Sequence, residues 1–138
     1  MPIMHWGCLK FDELTAAELY EILTLRSAVF VVEQNCVYQD PDGYDQNALH
    51  LMGHRDNNLL CYTRLLAPGV KYEGASIGRV ITNTAARGTG LGKQLMTESI
   101  KSNKDVFKLF PTCFQLVSKK GIAIRWPFKP MSCFMPSS

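Results

Sequence analysis

The sequence predicts a mixed α/β (α+β) fold with a mostly antiparallel sheet flanked by helices. Three features carry this expectation. Thr15-Ala-Ala-Glu18 is a capping box, and Leu19, Ile22, Leu23, Arg26 and Phe30 follow it at helical spacing, which predicts a helix from Ala16 to Phe30. Two apolar runs, Ala48–His54 and Leu59–Leu66, flank the polar turn Arg55-Asp-Asn-Asn58 and predict a β-hairpin. Ser76–Thr82 is a third strand of this set, and a loop with three glycines leads from it into a second helix beginning at Lys93.

The remaining elements follow in order. Met4–Phe11 reads as the first strand, with Trp6 and Leu9 contributing to the core. Phe30–Gln34 ends the first helix or begins an extended piece, and Asp40-Pro-Asp-Gly-Tyr-Asp45 is a loop by its turn residues. Pro68-Gly69 closes the second strand of the hairpin. In the second helix Leu95 and Met96 face inward. Beyond residue 103 the pattern fades: Cys113–Ser118 and Ile122–Trp126 are short strand candidates, and nothing is periodic from Pro127 onward, which predicts disorder there.

Composition narrows the function classes. The chain has 138 residues, enough for one domain, with 46% hydrophobic and 20% charged residues, as in ordinary globular proteins. Its longest apolar stretch, Ala28–Val32, is far shorter than the ~20 residues of a membrane span. The N-terminus lacks a basic segment followed by an apolar one, so no signal peptide is expected. Cys8, Cys36, Cys61, Cys113 and Cys133 form no C-x-x-C pair, which argues against a zinc ribbon; five free thiols in a reducing cytoplasm are expected. Residues 1–100 hold 8 Lys and Arg against 11 Asp and Glu, a net −3, whereas residues 101–138 hold 7 against 1, a net +6. No nucleic-acid-binding motif accompanies the basic end, so no nucleic-acid partner is expected.

The most informative segment is Ile77–Met96: a strand, a loop bearing Gly88, Gly90 and Gly92, then a helix. Glycines let backbone N–H groups approach a ligand, and with a helix N-terminus they form an anion site. A P-loop fails here, because Arg87 stands where its first glycine belongs and Gln94 follows Lys93. The dinucleotide fingerprint fails because the glycines read G-x-G-x-G. The pattern R-x-x-G-x-G fits, through Arg87, Gly90 and Gly92.

On that motif the chain resembles the GNAT acyltransferase superfamily. Further blocks, Phe30-Val-Val-Glu-Gln34, Tyr38–Asp45, His50-Leu, Arg64–Gly69, Ile77-Gly-Arg-Val80 and Arg87–Gly92, resemble ElaA-type GNAT proteins over residues 5–102. The resemblance implies an acetyl-CoA-dependent N-acetyltransferase acting on an amine, small-molecule or peptide, with no metal. It implies that Val80, Ile81 and Thr82 pair with the pantetheine arm. The pyrophosphate then sits on the amides of the loop from Arg87 through Gly88, Thr89, Gly90, Leu91 and Gly92 to Lys93. A backbone amide at Val80 or Ile81 is expected to polarise the thioester carbonyl.

For the general base, Glu33 and His50 are the candidates, as residues of family-like blocks on the expected acceptor side. Each has a structural alternative: Glu33 as a bridge between helix and loop, His50 as a hydrogen-bonded strand residue. Asp40, Asp42 and Asp45 do not fit an EF-hand, since its sixth and twelfth positions would be Asp45 and Leu51. They read as a solvated turn, with an acidic rim for an amine as the other option. Arg64 and Arg79 read as structural ion-pair partners.

The resemblance ends near residue 110. No tyrosine follows Tyr72, so the family's tyrosine acid for the CoA thiolate has no counterpart, and Cys113–Ser138 is unlike the family. The expected division is a GNAT-like acyl-CoA-binding domain at 1–110 and an atypical basic, Pro-rich tail at 111–138, of frameshift or truncation origin. An incomplete C-terminal half of the sheet follows, and such a domain is either marginal or oligomerises to cover the gap. The alternative function is a degenerate acyl-CoA-binding module without turnover.

Overall fold

A computed structural model of the chain describes residues 3–107 and, as backbone, the strands at 113–117, 122–125 and 129–132. The sheet begins with β1 (His5–Lys10), β2 (Ala48–Arg55), β3 (Asn58–Leu66) and β4 (Ser76–Thr82), adjacent in that order and antiparallel throughout. It continues through β5 (Cys113–Val117), β6 (Ile122–Arg125) and β7 (Lys129–Ser132). β5 is parallel to β4, and the last two pairings are antiparallel. The mixed, mostly antiparallel architecture is thus as expected.

Local chemistry explains the first half. Helix α1 (Ala16–Arg26) starts at the Thr15 capping box, with the Glu18 amide donating to Thr15 Oγ1 and the Thr15 amide donating to Glu18 Oε1. The helix does not stop at Phe30: seven residues, Ser27–Glu33, continue it with π-helical winding and carry Val29 and Phe30 inward. The β2–β3 turn has Asp56 and Asn57 at φ +51° and +64°, the twin positive angles of a type I′ hairpin turn, which Asp and Asn tolerate. Helix α2 runs Leu91–Phe107, two residues earlier than its predicted start.

The two helices cover opposite faces of the sheet. On the α1 face Ile22, Leu25, Val29 and Phe30 pack with Met52, Leu59, Tyr62 and Ile81. On the α2 face Leu91 and Leu95 pack with Leu51 and Cys61, and Leu49, Leu65 and Ile77 form the adjoining cluster with partly buried Met96 and Ile100. A hydroxyl chain ties α2 to β3, with Thr63 Oγ1 2.9 Å from Ser99 Oγ, which donates to the Leu95 carbonyl at 2.7 Å.

Two expectations are corrected. The segment from Pro127 onward includes β7, paired through Ile124 with Pro130 and Ala123 with Met131. Its order comes from the neighbouring strand, not from a pattern of its own, and Pro130 suits a terminal strand whose outer edge needs no donor. Cys8 and Cys61 are free thiols, whereas Cys36 is disulfide-bonded. The rest of the expected tail, at 108–112, 118–121, 126–128 and 133–138, lies outside the described residues.

Candidate functional site

β4 leaves its neighbour early. Its pairing with β5 consists of Ser76 with Cys113 and Ile77 with Phe114. From Gly78 to Thr82 no described strand lies on that side. On the other side the Asn83 amide donates to the Leu60 carbonyl at 2.7 Å, and Ile81 sits opposite Tyr62. Alternate residues of an antiparallel ladder face the partner strand, so the backbone groups of Thr82 and Val80 face the open side. The Thr82 carbonyl accordingly accepts from Arg87 Nε at 3.0 Å and not from β3.

The loop after β4 presents donors to solvent. Gly88 and Gly90 have φ of +81° and +84°, a left-handed conformation that a side chain would resist, and a Cβ on either would meet open space. Gly88, Thr89, Gly90, Gly92 and Lys93 are exposed. The first helical bond runs from the Gln94 amide to the Gly90 carbonyl, so the amides of Leu91, Gly92 and Lys93 open α2 with no intrahelical acceptor. This is the geometry of an anion cradle.

Each nitrogen of the Arg87 guanidinium has a partner, through three of its five N–H donors. Beside its bond to Thr82 O, its two terminal nitrogens clasp the Glu33 carboxylate, Nη2 to Oε2 at 2.9 Å. Arg87 therefore joins the end of β4, the loop and the end of the π-helical segment. The guanidinium bonded to Glu33 holds that carboxyl below its ordinary value. Glu33 also lines a cavity of about 350 Å³ with Leu25, Ala28, Val29, Val32, Asn83 and Thr84.

A buried ion network lies behind this rim. Arg26 Nε meets Asp40 Oδ2 and Arg26 Nη1 meets Asp45 Oδ1, both at 2.7 Å. Arg64 grips Asp42 with two 2.8 Å bonds and reaches Asp45 at 3.0 Å. Arg79 Nε donates to Asp40 Oδ1 at 2.9 Å and Nη2 donates to the Asp40 carbonyl at 3.0 Å. The three arginine side chains are 0–2% exposed, and those of Asp40, Asp42 and Asp45 are 2–9% exposed. Burial pushes the Asp42 and Asp45 carboxyls up, but the facing arginines outweigh it and hold both below the usual carboxylate range. The three aspartates are thus neither a solvated turn nor an acidic rim.

His50 belongs to the same interior. Its Nε2–H donates to the Asp45 carbonyl at 2.9 Å, which leaves Nδ1 to accept the Tyr62 hydroxyl at 2.6 Å. The residue is 0% exposed, and burial pushes its pKa below the ordinary histidine value. Both nitrogens are used, so the ring has no site for a proton taken from an amine.

No protein-family model matches the chain. The Escherichia coli protein ElaA is 42% identical over 102 residues, 72% of this chain and 67% of ElaA. A UPF0039 protein of Synechocystis is 39% identical over 101 residues, 72% of this chain and 66% of that protein. The crystal structure of E. coli ElaA superposes with a TM-score of 0.78 at 36% identity, covering 86% of this chain and 82% of that one. That of an acyl-CoA N-acyltransferase from Pseudomonas aeruginosa gives 0.77 at 44% identity, covering 83% and 80%. The chain belongs to the ElaA-type GNAT family. In sequence it spans about two thirds of the length of the curated relatives it matches.

In this ElaA-type chain the site residues expected from sequence fall into two groups. Val80, Ile81, Thr82 and the loop from Arg87 to Lys93 are contiguous along one edge, and Glu33 joins them through Arg87. His50 does not, because its ring is locked in the interior. Arg64 and Arg79 are structural ion-pair partners as the sequence suggested, but sequence alone placed neither Arg26 nor the three aspartates with them in one buried network. Its signal was present as three arginines at positions patterned for apolar residues, matched in number by three nearby aspartates. No helix among the described residues is long and apolar enough to cross a membrane, and no described group of three or more His, Cys, Asp or Glu is placed to hold a metal.

Proposed function

We propose that the protein is an N-acyltransferase that uses acetyl-CoA as donor and an amine as acceptor. The observation that carries this reading is the parting of β4 from β5 after Ile77, beside the exposed amides that open α2. A pantetheine arm carries amides of its own and can complete the ladder on Val80 and Thr82, while its pyrophosphate meets the amides from Gly88 to Lys93. The family membership supports the same assignment, as does the name of the Pseudomonas relative.

The chemistry then needs three things. The Val80 amide, facing the open edge, polarises the thioester carbonyl and stabilises the oxyanion formed on attack. The amine attacks as its neutral form, and the thiolate of CoA leaves as the carbonyl reforms. The cavity beside Glu33 receives the amine. Glu33 expected as the general base is a poor one here, since its pair with Arg87 favours the ionised form. Its carboxylate keeps lone pairs beyond those used by Arg87, and it serves to draw in the ammonium form, whose proton leaves to water. His50 holds the network beneath and takes no part in proton transfer.

The test is an assay of thiol release from acetyl-CoA with a panel of amines, run beside calorimetry with CoA. Binding together with amine-dependent thiol release is expected. Binding without release for any amine would favour a degenerate acyl-CoA-binding module. Absence of CoA binding would remove the loop from any donor site.

A further inference from the structure

β4 is not a regular strand. In a regular strand residues four apart face the same side. Here Ile77 packs on the α2 face, yet Ile81 packs on the α1 face. The alternation slips by one residue, and the register with β3 slips in the same place, between Tyr62 and Arg64. The cause is Arg79, whose φ is +50°. Among the described non-glycine residues with positive φ the others are Asn35, Asp56 and Asn57, residue types that tolerate the left-handed region. Arginine has no such tolerance, so its backbone conformation needs support from elsewhere in the fold.

That support is visible in the side chain. Asp40 receives Arg79 twice, through its carboxylate and its carbonyl, and Asp42 Oδ2 receives Nη2 at 3.2 Å. The guanidinium also stands over the Phe30 and Tyr38 rings at 5.8 and 5.9 Å. The Nε and Nη2 donors of Arg79 thus converge on one loop, which is itself fixed by Arg26 and Arg64. The residue after Arg79 is Val80, whose amide faces the open edge.

We propose that the Asp40–Arg79 ion pair is a positioning device that holds residue 79 in its left-handed bulge and so turns the Val80 amide toward a bound thioester. Asp40 and Arg79 touch neither substrate nor reacting atoms; they act through Val80. The inference rests on the reading of β4 as the donor strand. It explains why three arginines and three aspartates are buried together, 39 residues apart in the case of Asp40 and Arg79. The network holds a loop as an anvil for one strained residue.

The experiment compares three full-length chains by NMR: wild type, Asp40→Asn, and the double variant Asp40→Asn with Arg79→Gly. Asp40→Asn weakens the clamp and leaves the network one positive charge above its wild-type value. The double variant restores the charge balance and supplies glycine, which adopts positive φ without help. The HN–Hα couplings at residue 79 report its φ. Titrations with acetyl-CoA and with CoA report the Val80 and Gly90 amides.

In the wild type, acetyl-CoA is expected to shift Val80 more than CoA does, and both ligands to shift Gly90. In Asp40→Asn the coupling of residue 79 moves toward extended values and the acetyl-dependent shift of Val80 is lost, while Gly90 still responds. In the double variant the Val80 response returns, and turnover recovers from a loss of about 10²-fold. A purely structural role predicts the opposite order, with the double variant worse than the single one. That order, or an unchanged residue 79 in Asp40→Asn, would overturn the proposal. Should Asp40→Asn fail to fold, a folded double variant with wild-type Val80 response supports the clamp, and one without that response refutes it. If wild type shows no shift at Gly90 with either ligand, the donor-site reading fails. The coupling at residue 79 still decides whether the ion pair holds the bulge.

Discussion

Arg87 and Glu33, 54 residues apart in sequence, meet fork to fork, with Nη2 2.9 Å from Oε2. The pair joins the loop that presents free amides to the helix that walls the cavity. Arg87 opens the R-x-x-G-x-G motif, yet its own nitrogens are spent on Glu33 and the Thr82 carbonyl. In the proposed donor site the exposed backbone amides carry the pyrophosphate, and Arg87, held by Glu33 and the Thr82 carbonyl, sets where those amides stand.

Replacing Glu33 with Gln should act on the acceptor. The pair is partly exposed, and such pairs contribute at most about 1 kcal/mol, so the melting temperature should move little. The amine loses its counter-charge at the cavity rim. An increase of roughly tenfold in KM for the amine is expected, with kcat within about threefold, because a carboxylate already held ionised was not the base. Steady-state kinetics with the amine varied at saturating acetyl-CoA would show it. A fall of kcat by ~10² or more, with KM unchanged, would return Glu33 to the role of general base.

Gly90→Val should act on the donor. Gly90 sits at φ +84°, where a β-branched side chain is strained, and the amides around it lose their alignment. Affinity for CoA should fall at least tenfold by calorimetry, while the affinity of any amine is unaffected. Equal CoA affinity in the two chains would show that the pyrophosphate lies elsewhere.

Arg64→Met should act on the fold. Removing Arg64 takes two 2.8 Å bonds from Asp42 and one of the two arginine partners from Asp45, leaving Asp42 to Arg79 and Lys71 and Asp45 to Arg26, and broken buried pairs typically cost about 3–5 kcal/mol. Urea unfolding should show a loss of that size. A loss under about 1 kcal/mol would mean that water reaches the network.

How much of this was legible in the sequence depends on the range of each interaction. The Thr15–Glu18 box and the Asp56-Asn57 turn are local, and the sequence predicts both. The strand–loop–helix unit around Gly90 is local too, and its motif is specific. The bulge at Arg79 was not legible, because nothing in Ser76–Thr82 announces a positive φ at an arginine. Its cause lies in Asp40, in a segment whose Pro, Gly and three Asp look like a solvated turn. Only the fold supplies the three arginines that change its meaning. The two readings of His50 part for the same reason: a histidine among family-like residues reads as a base or as a hydrogen-bonded strand residue until the register sets it opposite Arg64 and beneath Asp45. The π-helical extension past Arg26 likewise follows from packing, since Val29 and Phe30 are drawn onto the sheet.

Acid should unfold the protein in two stages, and His50 should set the first. Its folded pKa lies below the unfolded value of 6.5, chiefly through burial. Between those two values the unfolded chain binds a proton that the native state refuses, so stability falls as pH falls. The contribution is fully present above pH 6.5, and the slope in this window is at most about 1.4 kcal/mol per pH unit for one group. Protonation at Nδ1 would also remove the acceptor that Tyr62 uses. Asp42 and Asp45 are depressed as well, against an unfolded value of 3.8, so their contribution is lost only as pH falls below about that value through their folded pKa values. Melting temperatures across pH 8 to 2 should therefore hold steady above 6.5, decline below it, and decline again below 4. His50→Gln removes the titrating ring while keeping a donor and an acceptor at its end. In that variant the first decline should vanish and the second remain. A first decline of unchanged size in His50→Gln would assign it to another group and place His50 outside the pH-sensitive part of the fold.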